Sequence, residues 1–340
     1  MSHTMLAAVF EGEGKLAVKE VSVPEITRPD EVLLKVEGAG ICGTDVHILE
    51  VPPGHPATPG AILGHEYVGR VVEVGQEVTS LRPGQRVVIA PNLNCGLCVY
   101  CRRGMPNHCQ HFTTLGVYLD GGFAEVNVAP ERACFPISDD LPLEEVVFTE
   151  LLSCVVGGTQ RVQLQPGDSA VILGAGPVGL MFLLVFKAAG AGKVIVSEPA
   201  PFRADFARQL GADRVVDPRQ EDLTEVVVSE TGWGGDVVVD AVGSLLPQAL
   251  PLARRGGTVL LFGMNQRASG TVHQYDITRN ELTIQGTFIG VNTFPAAIQM
   301  LESGALKPSA LITHRLPLAR IEEGMAALRA GEAIKVLINI

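Results

Sequence analysis

The spacing of apolar and polar positions gives the 340-residue chain two textures. Through the first third, short β-favouring runs (LAAVF at 6–10, KLAVKEV at 15–21, EVLLKVEGAGI at 31–41, YVGRVVEVG at 67–75, RVVIAP at 86–91) are separated by glycine, proline and acidic residues. Several short strands at such close spacing predict a small barrel. A cysteine-rich loop interrupts this region after Pro91, and GGFAEVNVAP at 121–130 returns to strand character. The acidic segment 142–162, PLEEVVFTELLSCVVGGTQRV, predicts a helix bridging two domains.

From Asp168 onward strands alternate with helices: SAVILGAG, PVGLMFLLVFKAAGA, KVIVSEP, PFRADFARQLGAD. This is the pattern of βαβ units, and further strands at RVVD, GGDVVVDAVG, GGTVLLFG and LTIQGTF predict a doubly wound parallel sheet. The tail then reads as two amphipathic helices, 294–306 and 320–331, and a closing strand IKVLINI that can rejoin the first domain's sheet. The expected division is residues 1–151 with 290–340 for one domain and 152–289 for the other. A chain of this length exceeds one ordinary core. The fold class is α/β.

The stretch 169–186 carries no charge and approaches the length of a membrane span. Gly174, Gly176, Pro177 and Gly179 at its centre break a helix, so a strand, a turn and a buried helix are expected instead. Hydrophobic residues at 46%, charged residues at 19% and 38 glycines suit a compact α/β protein with many tight turns. A net charge of −11, with no basic run to offset it, argues against nucleic acid and anionic membrane surfaces as partners. The start, MSHTMLAAVFEGEG, has neither a secretory nor a transit pattern, and a cytoplasmic location is expected.

Cys95, Cys98, Cys101 and Cys109 stand at CxxCxxCx7C spacing. A loop this short can wrap four sulfurs around one ion, and zinc takes four thiolates in closed sites that hold a loop without doing chemistry. The competing reading is a disulfide cluster, which the lack of a secretion signal disfavours. Cys134 and Cys154 read as buried thiols.

Gly174, Gly176 and Gly179 follow a strand and open a helix, so the backbone can approach a pyrophosphate at the helix amino terminus. Glu198 ends the next strand, where a carboxylate binds the adenosine ribose of NAD and repels an extra 2′-phosphate. Arg203 leaves NADP open, because a guanidinium can accept that phosphate, stack on adenine or pair with a carboxylate. NAD is favoured. Before the cysteine loop, GICGTDVH and GHEYVG gather Cys42, Thr44, His47, His65 and Glu66 among glycine-rich turns. Cys42 and His65 are residue types for a catalytic zinc with open positions, although either alone is more often plain packing.

The order CGTDVH, GHEYVG, four-cysteine loop, GAGPVG resembles the zinc-containing medium-chain alcohol dehydrogenases across essentially the whole chain. The resemblance implies a GroES-like, barrel-type catalytic domain, a Rossmann domain for NAD, and a chain end that rejoins the catalytic domain. It implies one catalytic and one structural zinc per chain. Cys42 and His65 match the catalytic zinc ligands and Glu66 the neighbouring acid. Glu150 matches the glutamate that sits beside the zinc, directly or through water, in the polyol and threonine branches. Here Leu151 replaces the usual proline, and Cys154 one turn on is the alternative. Thr44 and His47 match the hydroxyl and imidazole that carry a proton away, with a turn cap and a surface histidine as the plain readings. For the cofactor, Pro177 and Val178 join the glycine loop, and Phe262 and Gly263 end the run GGTVLLFG. The implied reaction passes a hydride from a secondary alcohol to NAD, the zinc acting as Lewis acid.

Glu66, Glu150, VIVSEPxxFR and RNELTIQGTFIG look more like sorbitol, arabinitol or threonine dehydrogenases than ethanol enzymes. The segment 279–294 leans toward a polyol over L-threonine. The competing classes are a non-catalytic NAD-binding protein and a zinc-free quinone reductase, both opposed by the intact Cys42, His65 and Glu66. A homo-oligomer, dimer or tetramer, is expected, with the strand at LTIQGTF available to pair across an interface.

Overall fold

The hairpin β1 (Thr4–Gly12) and β2 (Lys15–Ser22) turns through Gly12, Glu13 and Gly14, all at positive φ. The computed structural model describes residues 3–340. They form two compact units, one holding the chain up to Leu151 and again from Phe294 to Ile340, the other Leu152–Thr293.

In the first unit, β3 (Glu31–Gly40), α1 (Gly43–Ile48), β4 (Glu66–Val74), β5 (Arg86–Ile89) and the short β6 (Asn92–Leu93) come first. They are followed by α2 (Val99–Arg102), β7 (Thr113–Thr114), β8 (Val126–Pro130), β9 (Cys134–Pro136) and α3 (Leu143–Val146), and then by α4 (Thr149–Thr159), which crosses into the second unit. The helix expected over 142–162 is therefore two helices. Thr149 Oγ1 donates to the Val146 carbonyl at 2.7 Å, satisfying an orphan acceptor at the end of the first helix and starting the second.

The second unit runs β10 (Ser169–Leu173), α5 (Pro177–Ala188), β11 (Lys193–Ser197), α6 (Pro201–Gln209), β12 (Arg214–Val216), α7 (Leu223–Thr231), β13 (Gly235–Asp240), α8 (Leu246–Ala249), β14 (Ala253–Leu261), α9 (Gln274–Arg279) and β15 (Thr283–Gly286). Its six strands are parallel in the order β12-β11-β10-β13-β14-β15. The order reverses between β10 and β13, and open α/β sheets bind ligands at the carboxyl ends of strands flanking such a switch. Every residue of β10 is buried, which is why SAVIL reads as a continuous apolar run. On α5, Leu180 to Leu183 are fully buried, and Phe182 meets Phe262 edge to face at 5.0 Å, worth about 1 kcal/mol beyond its area. The apolar stretch is strand, turn and core helix, and among the described residues no helix is long and apolar enough to cross a membrane.

The chain then returns to the first unit as α10 (Phe294–Glu302), β16 (Ile312–Pro317), α11 (Ile321–Ala330) and β17 (Lys335–Asn339). Strand β17 pairs antiparallel with β3, as expected of IKVLINI, in a sheet of order β16-β17-β3-β4-β5-β9 from which β8 also pairs β3. Bridges Ala7 to Ala124 and Val9 to Ile62 tie the β1–β2 hairpin to this body. The core lies between them, with Leu34, Ile41, Leu63 and Phe123 almost wholly removed from water.

Candidate active site and cofactor loop

Cys42 is the N-cap of α1, and its backbone N–H donates at 2.9 Å to Asp45 Oδ2, which fixes the turn that presents the thiol. His65 and Glu66 arrive where β4 begins. Gly64 before them has φ +92, and a Cβ there would lie 2.7 Å from the Phe123 ring, so the GHE turn requires glycine. The ligand atoms of Cys42, His65 and Glu66 all lie within 4.8 Å of one another.

Three buried atoms around this cluster have no hydrogen-bond partner: His65 Nδ1, Glu66 Oε1 and Asp45 Oδ1. Orphaned buried polar atoms cost free energy unless something binds them. One thiolate, one imidazole and one carboxylate are the donor set of a zinc site with a position to spare, so the residues fit that ion. Burial opposes a charge on His65, but the Cys42 thiolate and Asp45 outweigh it and raise the imidazole well above its ordinary value. Asp45 Oδ1 stands 3.6 Å from His65 Nδ1, beyond hydrogen-bond reach but near enough for its charge to act on the ring.

Beneath Glu66 lies a residue that motif reading missed. Lys335 on β17 has its Nζ against Glu66 Oε2, and both side chains are almost wholly buried. The ammonium sits 5.9 Å from the centre of the Phe148 ring. Burial works against its charge, yet Glu66, Cys42 and Glu150 together raise its pKa. Gly40 on β3 makes the room: a Cβ there would lie 2.5 Å from Glu66 Oε2 and 2.8 Å from Lys335 Cε. Glu150 is buried on α4 and contributes to this field, but stands outside the three-residue group. Thr44 and His47 share α1 with the Cys42 turn, Thr44 half-buried and His47 exposed with Nδ1 2.7 Å from Glu50 Oε1.

The other four cysteines also converge, their sulfurs within 4.8 Å of one another, and all are free thiols. Neighbouring Sγ atoms are 3.5–3.9 Å apart, against an edge of about 3.8 Å for a tetrahedron with Zn–S of about 2.3 Å. Backbone N–H groups of Cys101 and Gln110 lower Cys98 to about 6, whereas desolvation and hydrogen bonding from Cys98 push Cys101 up to about 12. The loop thus holds thiolate charge for a cation to neutralise. Cys109→Ser is expected to reduce bound zinc by about one ion per chain, measured by elemental analysis, and to open 95–109 to protease.

In the second unit Gly174 (φ +96) ends β10, and Gly176 caps α5 with no side-chain hydrogen bond to the helix amides. A Cβ on Gly179 would lie 1.9 Å from the Gly174 carbonyl oxygen, while one on Gly176 would point into open space. Unclaimed amides beside open space fit a pyrophosphate. Pro177 and Val178 form the first turn of α5. Buried Glu198 accepts 2.8 Å hydrogen bonds from Ala175 N and Ala200 N, clamping the glycine loop to the end of β11. Arg203 is half-buried on α6. Phe262 and Gly263 follow β14, with Gly263 packed on Gly243, where a Cβ would come within 2.3 Å. Asp240, also missed, accepts from Val242, Gly243 and Leu245 amides at 2.8–2.9 Å and shapes that loop. Its only trace in the sequence is an acidic residue ending an apolar strand.

A thiolate–imidazole–carboxylate cluster in a barrel-type unit, with a dinucleotide loop in a parallel-sheet unit, defines a zinc-dependent dehydrogenase that uses a nicotinamide nucleotide. Residues 28–139 match the alcohol dehydrogenase GroES-like domain and residues 177–303 the zinc-binding dehydrogenase domain. D-arabinitol dehydrogenase 1 of Uromyces fabae is 33% identical, covering 98% of this chain and 97% of its own. The L-threonine 3-dehydrogenase of Caldanaerobacter subterraneus is 36% identical, with 99% of each covered. A zinc-binding dehydrogenase of Sinorhizobium meliloti 1021, solved bound to NADP, superposes with TM-score 0.95 at 34% identity over the full length of both chains. The chain belongs to the zinc-binding alcohol dehydrogenase family, and the expected fold and enzyme class are borne out.

Proposed function

We propose that the enzyme oxidises a secondary alcohol group of a polyol with NAD, working with one catalytic and one structural zinc. What carries the polyol reading is the charge around the cluster. Asp45, Glu50, Glu66 and Glu150 are acidic, and the ammonium among them, Lys335, is buried against Glu66. The carboxylate of L-threonine would need a cationic side chain, and the ammonium among these groups is already committed to Glu66, whereas a polyhydroxy substrate needs none. The D-arabinitol relative supports the same reading, and the threonine relative keeps the amino acid as runner-up.

Bound there, zinc would supply Lewis-acid chemistry for the substrate hydroxyl and NAD a hydride acceptor. Cys42, His65 and Glu66 would hold the metal, with Glu150 as the neighbouring carboxylate that would complete its shell, directly or through water. Thr44 Oγ1 takes the hydroxyl proton and His47 passes it to solvent. Lys335 holds the Glu66 carboxylate in place through their buried ion pair. Glu198 favours NAD, since two backbone amides fix its carboxylate at the end of β11 and its charge repels a 2′-phosphate. β15 is an edge strand of its sheet and suits pairing in a homo-oligomer.

The test is NADH formation by zinc-loaded protein with xylitol, sorbitol, arabinitol, inositol and L-threonine, each repeated with NADP. A polyol is expected to exceed threonine in kcat/KM by about tenfold or more. The reverse ranking moves the assignment to the amino acid, and no turnover despite bound zinc and NAD returns it to a binding protein.

A further inference from the structure

We propose that Glu50 is a positioning residue that fixes the tautomer of His47, so that Nε2 is the nitrogen that receives the proton. The inference rests on the reading of His47 as the proton exit.

An ionised carboxylate only accepts hydrogen bonds. With His47 Nδ1 2.7 Å from Glu50 Oε1, the ring hydrogen must sit on Nδ1, leaving the Nε2 lone pair free. The contact is built by the backbone. The His47 carbonyl accepts from Glu50 N at 3.3 Å and from Gly54 N at 2.9 Å, folding the loop back onto the end of α1. Gly54 makes the space, because a Cβ there would lie 2.6 Å from Glu50 Oε2 and 3.3 Å from His47 Cβ. A side chain at 54 would therefore crowd this carboxylate and force it to shift.

The side chains of His47 and Glu50 are 54% and 38% exposed, so the pair opens to water. Proton arrival at Nε2 gives an imidazolium whose Nδ1–H already points at a carboxylate, and release to solvent restores the starting tautomer. No atom other than the proton is exchanged. The surrounding charged and titratable groups leave the pair intact. His55 on the following loop feels His47 but bonds the Pro56 carbonyl. Arg329 on α11 reaches the Leu49 carbonyl at 3.5 Å, and Asp45 is committed to the Cys42 amide.

The experiment uses the full chain loaded with zinc and NAD and labelled with 15N-histidine, with the His47 signals assigned by their loss in His47→Ala. Ring-nitrogen shifts are expected to report Nδ1–H in the wild type and in Glu50→Gln, whose amide oxygen still accepts, and a move toward Nε2–H in Glu50→Ala. The alanine variant is expected to lose about tenfold in kcat for alcohol oxidation, a modest share of what a positioned base contributes. Its KM and zinc content should hold, and its kcat should climb as imidazole buffer is raised, which a merely structural defect would not do. Glu50→Ala that keeps the Nδ1–H tautomer, or keeps kcat while His47→Ala loses it, overturns the proposal. His47→Ala with full kcat removes the proton-exit reading itself, a separate failure.

Discussion

Lys335→Met is expected to destabilise the first unit by about 3 to 5 kcal/mol, the usual consequence of leaving one member of a buried ion pair alone. Glu66 and Lys335 meet where almost no water reaches, so the remaining carboxylate must be desolvated without a partner, take up a proton, or drag in solvent. Urea denaturation of zinc-free protein reads the loss directly. Adding Glu66→Gln to Lys335→Met should recover part of it, because the double variant buries no uncompensated charge; the cycle isolates the coupling. On the proposed reading of Glu66 as a zinc ligand, bound metal would supply a second positive partner, and the penalty should shrink. A loss below about 1 kcal/mol in both forms would mean the pair does not hold this site together.

Alanine at two glycines of the cofactor loop should give opposite results. At Gly179 the new Cβ would come 1.9 Å from the Gly174 carbonyl oxygen, a backbone atom at the close of β10. The turn and α5 must separate, so Gly179→Ala is expected to lower thermal stability by about 2 to 3 kcal/mol and abolish measurable NADH binding. At Gly176 the Cβ meets nothing, and φ −72 with ψ −178 is open to any residue. Gly176→Ala should therefore melt with the wild type while binding NADH about tenfold or more weakly, because the methyl occupies the pyrophosphate's approach. Thermal melts and NADH fluorescence titrations on both variants separate the roles. Equal behaviour of the two would refute the assignment of one glycine to packing and the other to ligand.

The metal cluster and the glycine loop were each legible where their residues are close in sequence. CGTDVH, GHEYVG, the cysteine loop and GAGPVG each fix a local turn, and local turns are written in adjacent residues. Lys335 was not legible: an isolated lysine in IKVLINI looks like the outward residue of an edge strand, and only the pairing of β17 with β3 turns it beneath Glu66. Asp45 was visible as a letter of its motif, yet its link to His65 spans separate elements. The unbroken helix over 142–162 failed for a similar reason. Its apolar pattern continues through Val147 and Phe148, while the break is made by a threonine hydroxyl on a carbonyl. Glu50 lies within a few residues of His47, but its role needed the loop geometry set by Gly54.

The return of the chain to its first unit also sets a timetable. The second unit is one continuous stretch, so all of it can emerge from the ribosome and fold while the first unit still lacks its last strands. Glu66 is made 269 residues before its lysine partner. Until β17 is released, β3 lacks its partner at Gly38 to Gly40 and Glu66 lacks its lysine, so the surroundings of the proposed metal cluster are completed only late in biosynthesis.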